Sequence, residues 1–345
     1  MTRLSICMVT RNRAGFIGET LDSILPQLTP DIELLVVDGA STDSTPEVIA
    51  RYQRNYPALR YYREETNSGI DGDYDKAVGY ARGDYCWLMP DDDLLKPGAV
   101  ARVFELLSEE PELVLVDAEV RDVKFERLLV PRRLSFSGVR RYGPGDADRF
   151  MVDAGEILSF IGCTVVRRSF WEARDRKRHY GSFFVHVGVV FEAPPRSAII
   201  CGETLMSIRY GNSMWTPRRF EIWAFSWPKL IYEARGYSDE AKRALMPRPP
   251  WRDLKQMISF RARGAYGRRE YRQFLSKRRL GAMRPILSLM ALVPGKPLHI
   301  LATLLFVMRR QIWAPGSYEL VRCSPYSNAA SRWIARKAGL VDASP

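Results

Sequence analysis

The sequence predicts an α/β fold, with a mainly parallel central sheet flanked by helices, followed by a mostly helical and basic C-terminal extension. Short, fully apolar runs alternate with helical patterns over about the first hundred residues, as expected for parallel strands covered on both faces by helices. The later part of the chain is rich in Trp and Arg and has helical patterning. Hydrophobic residues make up 46% and charged residues 27%, which excludes collagen-like, low-complexity and disulfide-framework classes.

The elements of the front half follow in chain order. Apolar runs predict strands at Leu4–Val9, Ile32–Val37, Arg60–Tyr62, Tyr85–Met89 and Leu113–Val120. Helical patterns predict helices at Gly15–Leu28, from Ser44 onward, at Asp71–Ala81 and at Pro97–Leu107. The start at Ser44 is well marked, because a hydroxyl cap is followed by proline and an acid in the first turn.

Polar residues collect where the predicted strands end. Thr10, Arg11 and Asn12 follow the first strand, Asp38 follows the second, and Asp91–Asp93 follow the fourth. In open α/β sheets, ligands bind in the crevice at the carboxyl ends of the strands. The front half therefore predicts a ligand-binding sheet with an acidic mouth.

The domain prediction places a catalytic domain at residues 1–210 and a helical, basic region at residues 211–345. The catalytic domain is divided at about residue 120 into a ligand-binding half and a second half. The elements predicted after residue 120 are a loop at Arg127–Asp148, a strand at Ile157–Val166, a turn or helix at Arg167–Arg174 and helices over 211–275.

The formal net charge of +12 is unevenly distributed. Residues 1–100 hold 10 basic and 16 acidic residues, residues 101–200 hold 16 and 15, and residues 201–345 hold 26 and 9. Nucleic acid and anionic membranes are the usual partners of such a basic region. A nucleic-acid partner is not expected, because no helix-turn-helix, zinc-finger or RNP-like signature is present and the acidic mouth would repel a polyanion.

Cysteine usage and the N-terminal sequence bear on location. The five cysteines are scattered and form no C-x-x-C pair, which favours a reducing compartment and disfavours a structural zinc site. The N-terminal residues contain no apolar stretch long enough for a signal peptide. The expectation is a cytoplasmic protein or one on a cytoplasmic membrane face.

The acidic triplet Asp91–Asp93 is the most informative local motif. Adjacent carboxylates repel one another, so a cation is the usual reason to keep them at a strand end. Mg²⁺ and Mn²⁺ are held by one or two carboxylates together with phosphate oxygens of a ligand. The alternative is a solvated acidic turn that caps the helix beginning at Pro97.

Three ordered motifs resolve this choice by resemblance. The segments SICMVTRNR, ELLVVDGASTDST and ARGDYCWLMPDDDLL together resemble the family 2 glycosyltransferases, which have the GT-A fold. The segments SGIDGDYDKAV, VVRRSFW, YGSFFVHVG and RYGNSMWTPRRFEIW are similar to the abequosyltransferase-like branch, which builds bacterial O-antigen and related surface polysaccharides. The resemblance covers about residues 3–275.

The resemblance implies roles for residues that match the family's nucleotide site. Thr10 and Asp38 stand where relatives bind the base and the ribose, and Arg11 stands where the base packs. Many relatives have an aromatic residue in place of Arg11. A guanidinium plane can also stack on a base, so the identity of the base is left open.

The resemblance also divides the acidic triplet. Asp91 or Asp92 would contact the ribose, and Asp93 would bind Mg²⁺ or Mn²⁺ beneath the donor diphosphate. Asp71 and Lys76 match positions where relatives touch the base or the phosphates. The alternative for this pair is a surface helix whose charges have no functional consequence.

The implied reaction is metal-dependent, inverting transfer of a sugar from a nucleoside diphosphate to an acceptor hydroxyl, which needs a general base. Relatives supply the base from a Glu-Asp motif, but the corresponding Tyr180–Val187 stretch has no carboxylate. His186 is its ionisable residue and the predicted base; a buried core histidine and a metal ligand are the alternatives. The next candidates are Asp153, Glu156 and Glu192.

The missing Glu-Asp motif leaves a second class of function open, a non-catalytic nucleotide-sugar-binding or scaffold protein. A nucleotidyltransferase is a weaker alternative, because the basic glycine-rich loop that activates its substrate is absent after the first strand.

The basic region predicts contact with an anionic inner-membrane surface. Two apolar runs, Ile286–Val293 and Leu298–Met308, are separated by Pro294–Pro297 and fall short of the ~20 residues of a spanning helix. Flanking residues typical of interfacial segments are Arg284, Lys296, Arg309, Arg310 and Trp313. The expected location is peripheral, on the cytoplasmic face, where a polyprenyl-diphosphate-linked saccharide acceptor would be presented. The alternative is two buried helices of a helical subdomain.

Overall fold

The computed structural model describes residues 3–212, 214, 216–308 and 314–339, and the chain forms two units. Unit 1 comprises Met1–Val120, Pro131–Arg209 and Leu230–Leu245, and unit 2 comprises Arg121–Val130, Tyr210–Lys229 and Met246–Pro345. The chain thus passes from unit 1 to unit 2 at Arg209, close to the predicted boundary at residue 210. It differs from that prediction in returning to unit 1 for one helical segment and in leaving it for 121–130.

Ten strands of the described residues form one sheet. They are Leu4–Thr10 (β1), Ile32–Asp38 (β2), Arg60–Arg63 (β3), Tyr85–Met89 (β4), Leu94–Leu95 (β5), Leu113–Asp122 (β6), Leu128–Val130 (β7), Val139–Tyr142 (β8), Thr164–Arg167 (β9) and Ala198–Tyr210 (β10). Their order is β3-β2-β1-β4-β9-β6-β10-β5, with β7 beside β6 and β8 beside β10. β1 to β4 pair in parallel, whereas β9 is antiparallel to β4 and β6, and β10 is antiparallel to β5 and β8.

Helices connect and flank these strands. Up to residue 191 they are Ile17–Ile24 (α1), Thr45–Asn55 (α2), Ile70–Tyr80 (α3), Ala99–Leu106 (α4), Ala147–Gly155 (α5), Arg168–Glu172 (α6) and Val185–Phe191 (α7). After β10 they are Arg219–Glu221 (α8), Trp227–Glu233 (α9), Asp239–Leu245 (α10), Leu254–Ala262 (α11), Arg268–Glu270 (α12), Met283–Met290 (α13), Gly295–Met308 (α14), Ala314–Tyr318 (α15) and Ala329–Lys337 (α16).

The parallel part of the sheet positions the predicted mouth. All seven residues of β1 are buried, as expected for a central strand covered on both faces. Thr10 at the end of β1 pairs in register with Asp38 at the end of β2, and Met8 pairs with Met89 at the end of β4. The loops that follow β1, β2 and β4 therefore begin side by side at one edge of the sheet.

Two element predictions are wrong. The predicted loop Arg127–Asp148 contains β7, β8 and the start of α5. The predicted strand Ile157–Val166 is extended only from Thr164, and its first half is a turn and a 3₁₀ helix at Ile161–Cys163. That half is apolar because it is buried, and burial does not by itself specify an extended backbone.

Unit 2 is helical where the sequence predicts helices. Its main core joins residues from segments that lie far apart in the chain: Phe220, Ala224, Trp251, Met257, Tyr266, Leu275, Leu280, Leu287 and Ala291. Among the described helices, none is by itself long and apolar enough to cross a membrane. α13 and α14 pass that test only as a pair, and they bend by 99° at the break between them.

Candidate functional site

The loops after β1 and β2 are joined by hydrogen bonds. The Asn12 N–H donates to Ser41 Oγ at 2.9 Å, and Asn12 Oδ1 accepts from the Thr42 N–H at 2.7 Å. Asn12 has a φ of +55°, a left-handed conformation that Asn tolerates better than most residues. The next N–H, of Arg13, donates to Thr45 Oγ1 at 2.8 Å. These contacts fix the backbone from which the Arg13 side chain extends.

Asp38 lies fully buried at the end of β2 and shapes the turn that follows. Its Oδ1 accepts from the Ser41 N–H at 2.8 Å, and its Oδ2 accepts from the Tyr61 hydroxyl at 2.7 Å. Burial, together with the Asp38 carboxylate, raises the pKa of Tyr61, so the phenol remains a donor. Asp38 is thus held rigidly beside Thr10, and its predicted contact with a nucleotide stays a prediction.

Asp73 on α3 also lies beside this turn, and the sequence analysis missed it. Its carboxylate accepts a hydrogen bond from Ser68, and a Cβ added at Gly39 would lie 2.5 Å from Asp73 Oδ2. Burial raises the pKa of Asp73. Asp71 and Asp73 are two residues apart on one helix, so their side chains point about 200° apart around its axis. The sequence shows that at most one of them faces the strand ends, but not which one.

Asp71 contacts a different segment from the one predicted. Its Oδ1 accepts from the Val185 N–H and its Oδ2 from the Phe183 N–H, each at 2.9 Å. Burial raises the pKa of Asp71, although these amides oppose the rise. Both carboxylate oxygens therefore hold the turn that leads into α7, where Phe183 has a φ of +69°.

The positive charges of Lys76 and Arg11 both act on Asp73, but neither is enough to cancel the effect of burial on its pKa. Lys76 pairs with Glu64, which also accepts from the Tyr80 hydroxyl at 3.2 Å. The sequence analysis left open that Lys76 belongs to a surface charge pair without functional consequence. The structure has such a pair, but the partner of Lys76 is Glu64 and not Asp71. Arg11 is exposed on the loop after β1.

The acidic loop, defined as Asp91–Asp93, lies between β4 and β5. Asp91 and Asp93 are buried, and the side chain of Asp92 is only 14% exposed. Burial and the charge of Asp92 raise the pKa of Asp91 to about 7, while the Arg13 guanidinium opposes the rise. Burial and the neighbouring carboxylates also raise the pKa of Asp93 well above its ordinary value. The fold concentrates negative charge here at the cost of desolvating it.

Two arginines that the sequence analysis missed neutralise part of this charge. Arg13 Nε lies 3.4 Å from Asp91 Oδ1, and its Nη2 lies 3.3 Å from Asp92 Oδ2. Arg209 at the end of β10 donates its N–H to Asp93 Oδ1 at 2.8 Å and its Nε–H to the Asp92 carbonyl at 2.9 Å. The Arg209 guanidinium also pairs with Glu19. No local motif links residue 209 to residue 93, because the contact depends on the pairing of β10 with β5.

The chemistry of the acidic loop fits a hard divalent cation. When all four carboxylates are ionised, the three aspartates and Glu19 outnumber Arg13 and Arg209 by two charges, and a bound cation would favour this ionised state over the protonated state that burial promotes. Asp93 Oδ2 accepts no hydrogen bond from the described part of the chain. No group of three or more His, Cys, Asp or Glu in the described residues is arranged to hold a metal by itself. A cation held here would need oxygens from a ligand, as Mg²⁺ does when it binds with phosphates.

His186 is a buried residue of α7. Its Nε2 lies 2.8 Å from the Leu158 carbonyl, and its Nδ1 is buried with no hydrogen-bond partner in the described residues. Burial lowers the pKa of His186 to about 4, so the imidazole is neutral near pH 7. A general base must reach the acceptor hydroxyl, and a side chain that is 1% exposed does not. The structure therefore favours the core-histidine interpretation over the predicted base.

The carboxylates considered next as bases are all engaged. Asp153 accepts from the Tyr142 hydroxyl at 2.5 Å and from Arg140 at 2.8 Å. Glu156 accepts from the Ser135 N–H at 2.7 Å, and Glu192 accepts from the Asp175 N–H at 2.9 Å.

Comparison with known proteins identifies the fold and the family. Residues 5–173 match the family described as Glycosyl transferase family 2. The structure is similar to that of S. aureus TarS residues 1–349 in complex with UDP-GlcNAc, with a TM-score of 0.54, 16% identity, and coverage of 92% of this chain and 90% of that one. It is also similar to a mannosyltransferase from Pyrobaculum calidifontis in complex with GDP-Man and Mn²⁺, with a TM-score of 0.51, 19% identity, and coverage of 92% and 86%.

Sequence relatives narrow the assignment. The abequosyltransferase RfbV of Salmonella typhimurium is 27% identical over 296 residues, which are 79% of this chain and 87% of that protein. A chondroitin synthase of Pasteurella multocida is 32% identical over 127 residues, which are 37% of this chain and 13% of that protein. The chain is therefore a glycosyltransferase with the GT-A fold whose residues 5–173 form a family 2 domain, and over most of its length it resembles an abequosyltransferase.

Proposed function

We propose that this chain transfers a sugar from a nucleoside-diphosphate donor to a hydroxyl of a saccharide acceptor in bacterial surface-polysaccharide synthesis. The observation that carries the proposal is the acidic loop at the sheet edge where β1, β2 and β4 end. Its excess negative charge suits a divalent cation, and the neighbouring Thr10 and Asp38 offer oxygen atoms to a nucleoside. The family match and the similarity to RfbV support this assignment.

The proposed donor site assigns each residue a separate role. Thr10, Arg11 and Asp38 contact the nucleoside, and Asp91 or Asp92 contacts the ribose. Asp93 holds Mg²⁺ or Mn²⁺, which when bound would stabilise the negative charge of the departing diphosphate.

Helix α3 contributes to this site through Asp73. We assign the contact with the nucleoside to Asp73, which lies beside Gly39 directly after β2, and not to Asp71, whose carboxylate lies against the turn before α7. Lys76 is left out of the donor site because it pairs with Glu64.

The transfer is proposed to be inverting, as in the wider family. The acceptor hydroxyl then attacks the anomeric carbon from the face opposite the diphosphate, and a base on that face takes the hydroxyl proton. The burial of His186 separates it from this step. The same observation favours one competing function, a non-catalytic nucleotide-sugar-binding protein of the same pathway.

The acceptor is proposed to be a lipid-linked saccharide at the cytoplasmic face of the inner membrane. α13, α14 and the turn between them expose a set of large apolar side chains: Ile286, Leu289, Leu292, Leu301, Leu304, Leu305 and Met308. Residues 271–318 contain eight Lys or Arg and no Asp or Glu. Exposed leucines near Lys and Arg, in a segment without acidic residues, are typical of a segment that lies in the headgroup region of an anionic bilayer. Arg309, Arg310 and Trp313 of that prediction lie outside the described residues.

A thermal-shift screen tests the proposed donor class. UDP-, CDP-, GDP- and dTDP-sugars are added one at a time with Mn²⁺, and the unfolding temperature is measured. Binding to the folded state alone must raise that temperature, by an amount set by ligand concentration relative to Kd. We expect one nucleotide to give a clear rise that EDTA removes, and no rise with any of the four would contradict the proposal. Sugar release with the responding donor then separates an enzyme from a non-catalytic binding protein.

A further inference from the structure

The guanidinium of Arg13 already neutralises part of the negative charge of the acidic loop, which a divalent cation would also neutralise. It spans Asp91 and Asp92, at 3.4 and 3.3 Å, and its side chain is 11% exposed. The guanidinium carbon also lies 5.4 Å from the centroid of the Phe16 ring. Salt screens an ion pair with this burial less than it screens an exposed surface pair.

Local structure holds Arg13 in this position. Its N–H is bound to Thr45, the preceding Asn12 has left-handed geometry, and the Arg13 carbonyl accepts from the N–H groups of Phe16 and Ile17. The backbone is therefore fixed on both sides of Arg13, and the long side chain alone can move.

Arg209 lies at the end of β10. Among its contacts, its backbone N–H donates to Asp93 Oδ1, its Nε–H donates to the Asp92 carbonyl, and its guanidinium pairs with Glu19. It forms part of the framework of the loop. The Arg13 guanidinium instead pairs with the carboxylates of Asp91 and Asp92, next to the proposed cation ligand Asp93, so its positive charge opposes cation binding at the acidic loop.

We propose that Arg13 is a built-in counter-charge of the acidic loop, which holds Asp91 and Asp92 before the donor binds and turns to the donor diphosphate when the cation is present. The inference rests on the proposed function, since it names a residue of the same donor site. A guanidinium is suited to both positions, because its planar set of N–H donors matches carboxylate and phosphate oxygens equally well.

The consequence is a thermodynamic coupling between cation and donor. A cation that binds alone is opposed by the positive charge of Arg13. When a diphosphate binds as well, Arg13 can leave the carboxylates and pair with the phosphate oxygens. Each ligand therefore raises the affinity of the other by the same factor. Removal of the guanidinium makes the cation bind more tightly alone and the diphosphate bind more weakly.

The experiment measures Mn²⁺ binding without nucleotide, by calorimetry or by loss of the free-ion EPR signal. The variants are Arg13→Gln, Arg13→Lys and, as a charge-matched control, Arg51→Gln on the exposed face of α2. Thermal unfolding first establishes that each variant is folded. We expect Arg13→Gln to bind Mn²⁺ about tenfold more tightly than the unmodified chain, because it removes one positive charge that contacts Asp91 and Asp92 of the acidic loop. Arg51→Gln should be unchanged, and Arg13→Lys should lie between them.

The second measurement is the affinity of UDP, CDP, GDP and dTDP at saturating Mn²⁺. Here Arg13→Gln should bind the preferred diphosphate about tenfold more weakly, because a charge-assisted contact is lost. Mn²⁺ affinity that is equal or lower in Arg13→Gln overturns the inference, as does a failure of both proteins to bind Mn²⁺. Tighter Mn²⁺ binding in Arg13→Gln by a protein that transfers no sugar would instead overturn the proposed function and leave the role of Arg13 intact.

Discussion

Three carboxylates on α3 show how one residue type takes different roles. Asp71 holds the backbone before α7, Asp73 lies beside Gly39 at the mouth, and Asp75 accepts from Trp171 Nε1 at 2.8 Å and from the Tyr180 hydroxyl at 2.6 Å. Asp71 and Asp75 together therefore tie the 171–185 region to the helix. The sequence places all three acids on one helix, but their partners come from other parts of the fold.

The residues at strand ends were easier to predict than the arginines that neutralise them. Asp38 and Asp91–Asp93 follow apolar runs directly, so local pattern locates them. Arg13 is one of three charged or polar residues in a short loop, and the left-handed Asn12 decides its direction. Arg209 depends on strand pairing across more than a hundred residues, which no local pattern encodes.

Substitution of His186 tests its assignment as a core residue. Between pH 6.5 and about 4 the unfolded chain binds a proton that the folded chain does not, so this residue's contribution to stability is present above pH 6.5 and is lost as the pH falls. At about 1.4 kcal/mol per pH unit, the loss is about 2 kcal/mol at about pH 5. His186→Gln keeps a donor for the Leu158 carbonyl and removes the titration. As the pH falls, the free energy of unfolding of His186→Gln should therefore decrease less than that of the unmodified chain.

Urea unfolding of both proteins at about pH 7.5 and at about pH 5 measures this difference. Sugar transfer is measured on the same samples. Near-normal turnover of folded His186→Gln agrees with a core role. A loss of turnover of ~10²-fold or more with unchanged stability would reinstate His186 as the general base.

For helices and strands, the hydrophobic pattern predicts the type of element better than it predicts the residues at which the element begins and ends. The predicted strand Leu4–Val9 is β1, and the predicted helix Gly15–Leu28 is α1 followed by one 3₁₀ turn. The helix predicted from Ser44 begins there as α2, but Asp43 and not Ser44 accepts from the Thr45 N–H, at 3.0 Å. The errors at Arg127–Asp148 and Ile157–Val166 come from segments whose structure is imposed by neighbouring strands and by burial.

Helices α13 and α14 are the element on which the membrane proposal depends. Leu289 is 67% exposed and Leu301 is 53% exposed, so glutamate at both positions should leave the fold intact while opposing insertion. We expect the unmodified chain to float with vesicles that contain anionic lipid at low salt. The double variant Leu289→Glu/Leu301→Glu should lose roughly tenfold or more of this binding, given the apolar area that each leucine buries.

Leu128→Glu, on an exposed leucine of β7, is the matched control and should bind vesicles as the unmodified chain does. Raised salt should weaken binding because the attraction to anionic lipid is screened. Failure of the unmodified chain to float at low salt would contradict the proposal. Resistance to alkaline carbonate extraction would instead indicate that the bent pair inserts into the bilayer.

At the scale of the whole molecule, the charge distribution separates two tasks. The acidic front half contains the mouth at the ends of β1, β2 and β4, whereas residues 201–345 hold 26 basic and 9 acidic residues. The net charge of +12 is the sum over an acidic first hundred residues, a nearly neutral middle and a basic end. The sequence predicts the fold class and the edge of the sheet that carries the site. The antiparallel half of the sheet and the assignment of residues 121–130 to unit 2 and 230–245 to unit 1 were beyond it, because both depend on contacts between distant segments.

The proposed function depends on Asp93 binding a divalent cation that the donor needs. The most direct test is Mn²⁺-dependent hydrolysis of the donor identified by the thermal-shift screen, compared between the unmodified chain, Asp93→Asn and the exposed control Asp31→Asn. Asp93→Asn keeps the side-chain shape and removes the charge that would hold the cation. We predict that it lowers hydrolysis by ~10²-fold or more while Asp31→Asn leaves it unchanged. Hydrolysis by folded Asp93→Asn at the rate of the unmodified chain would contradict the account.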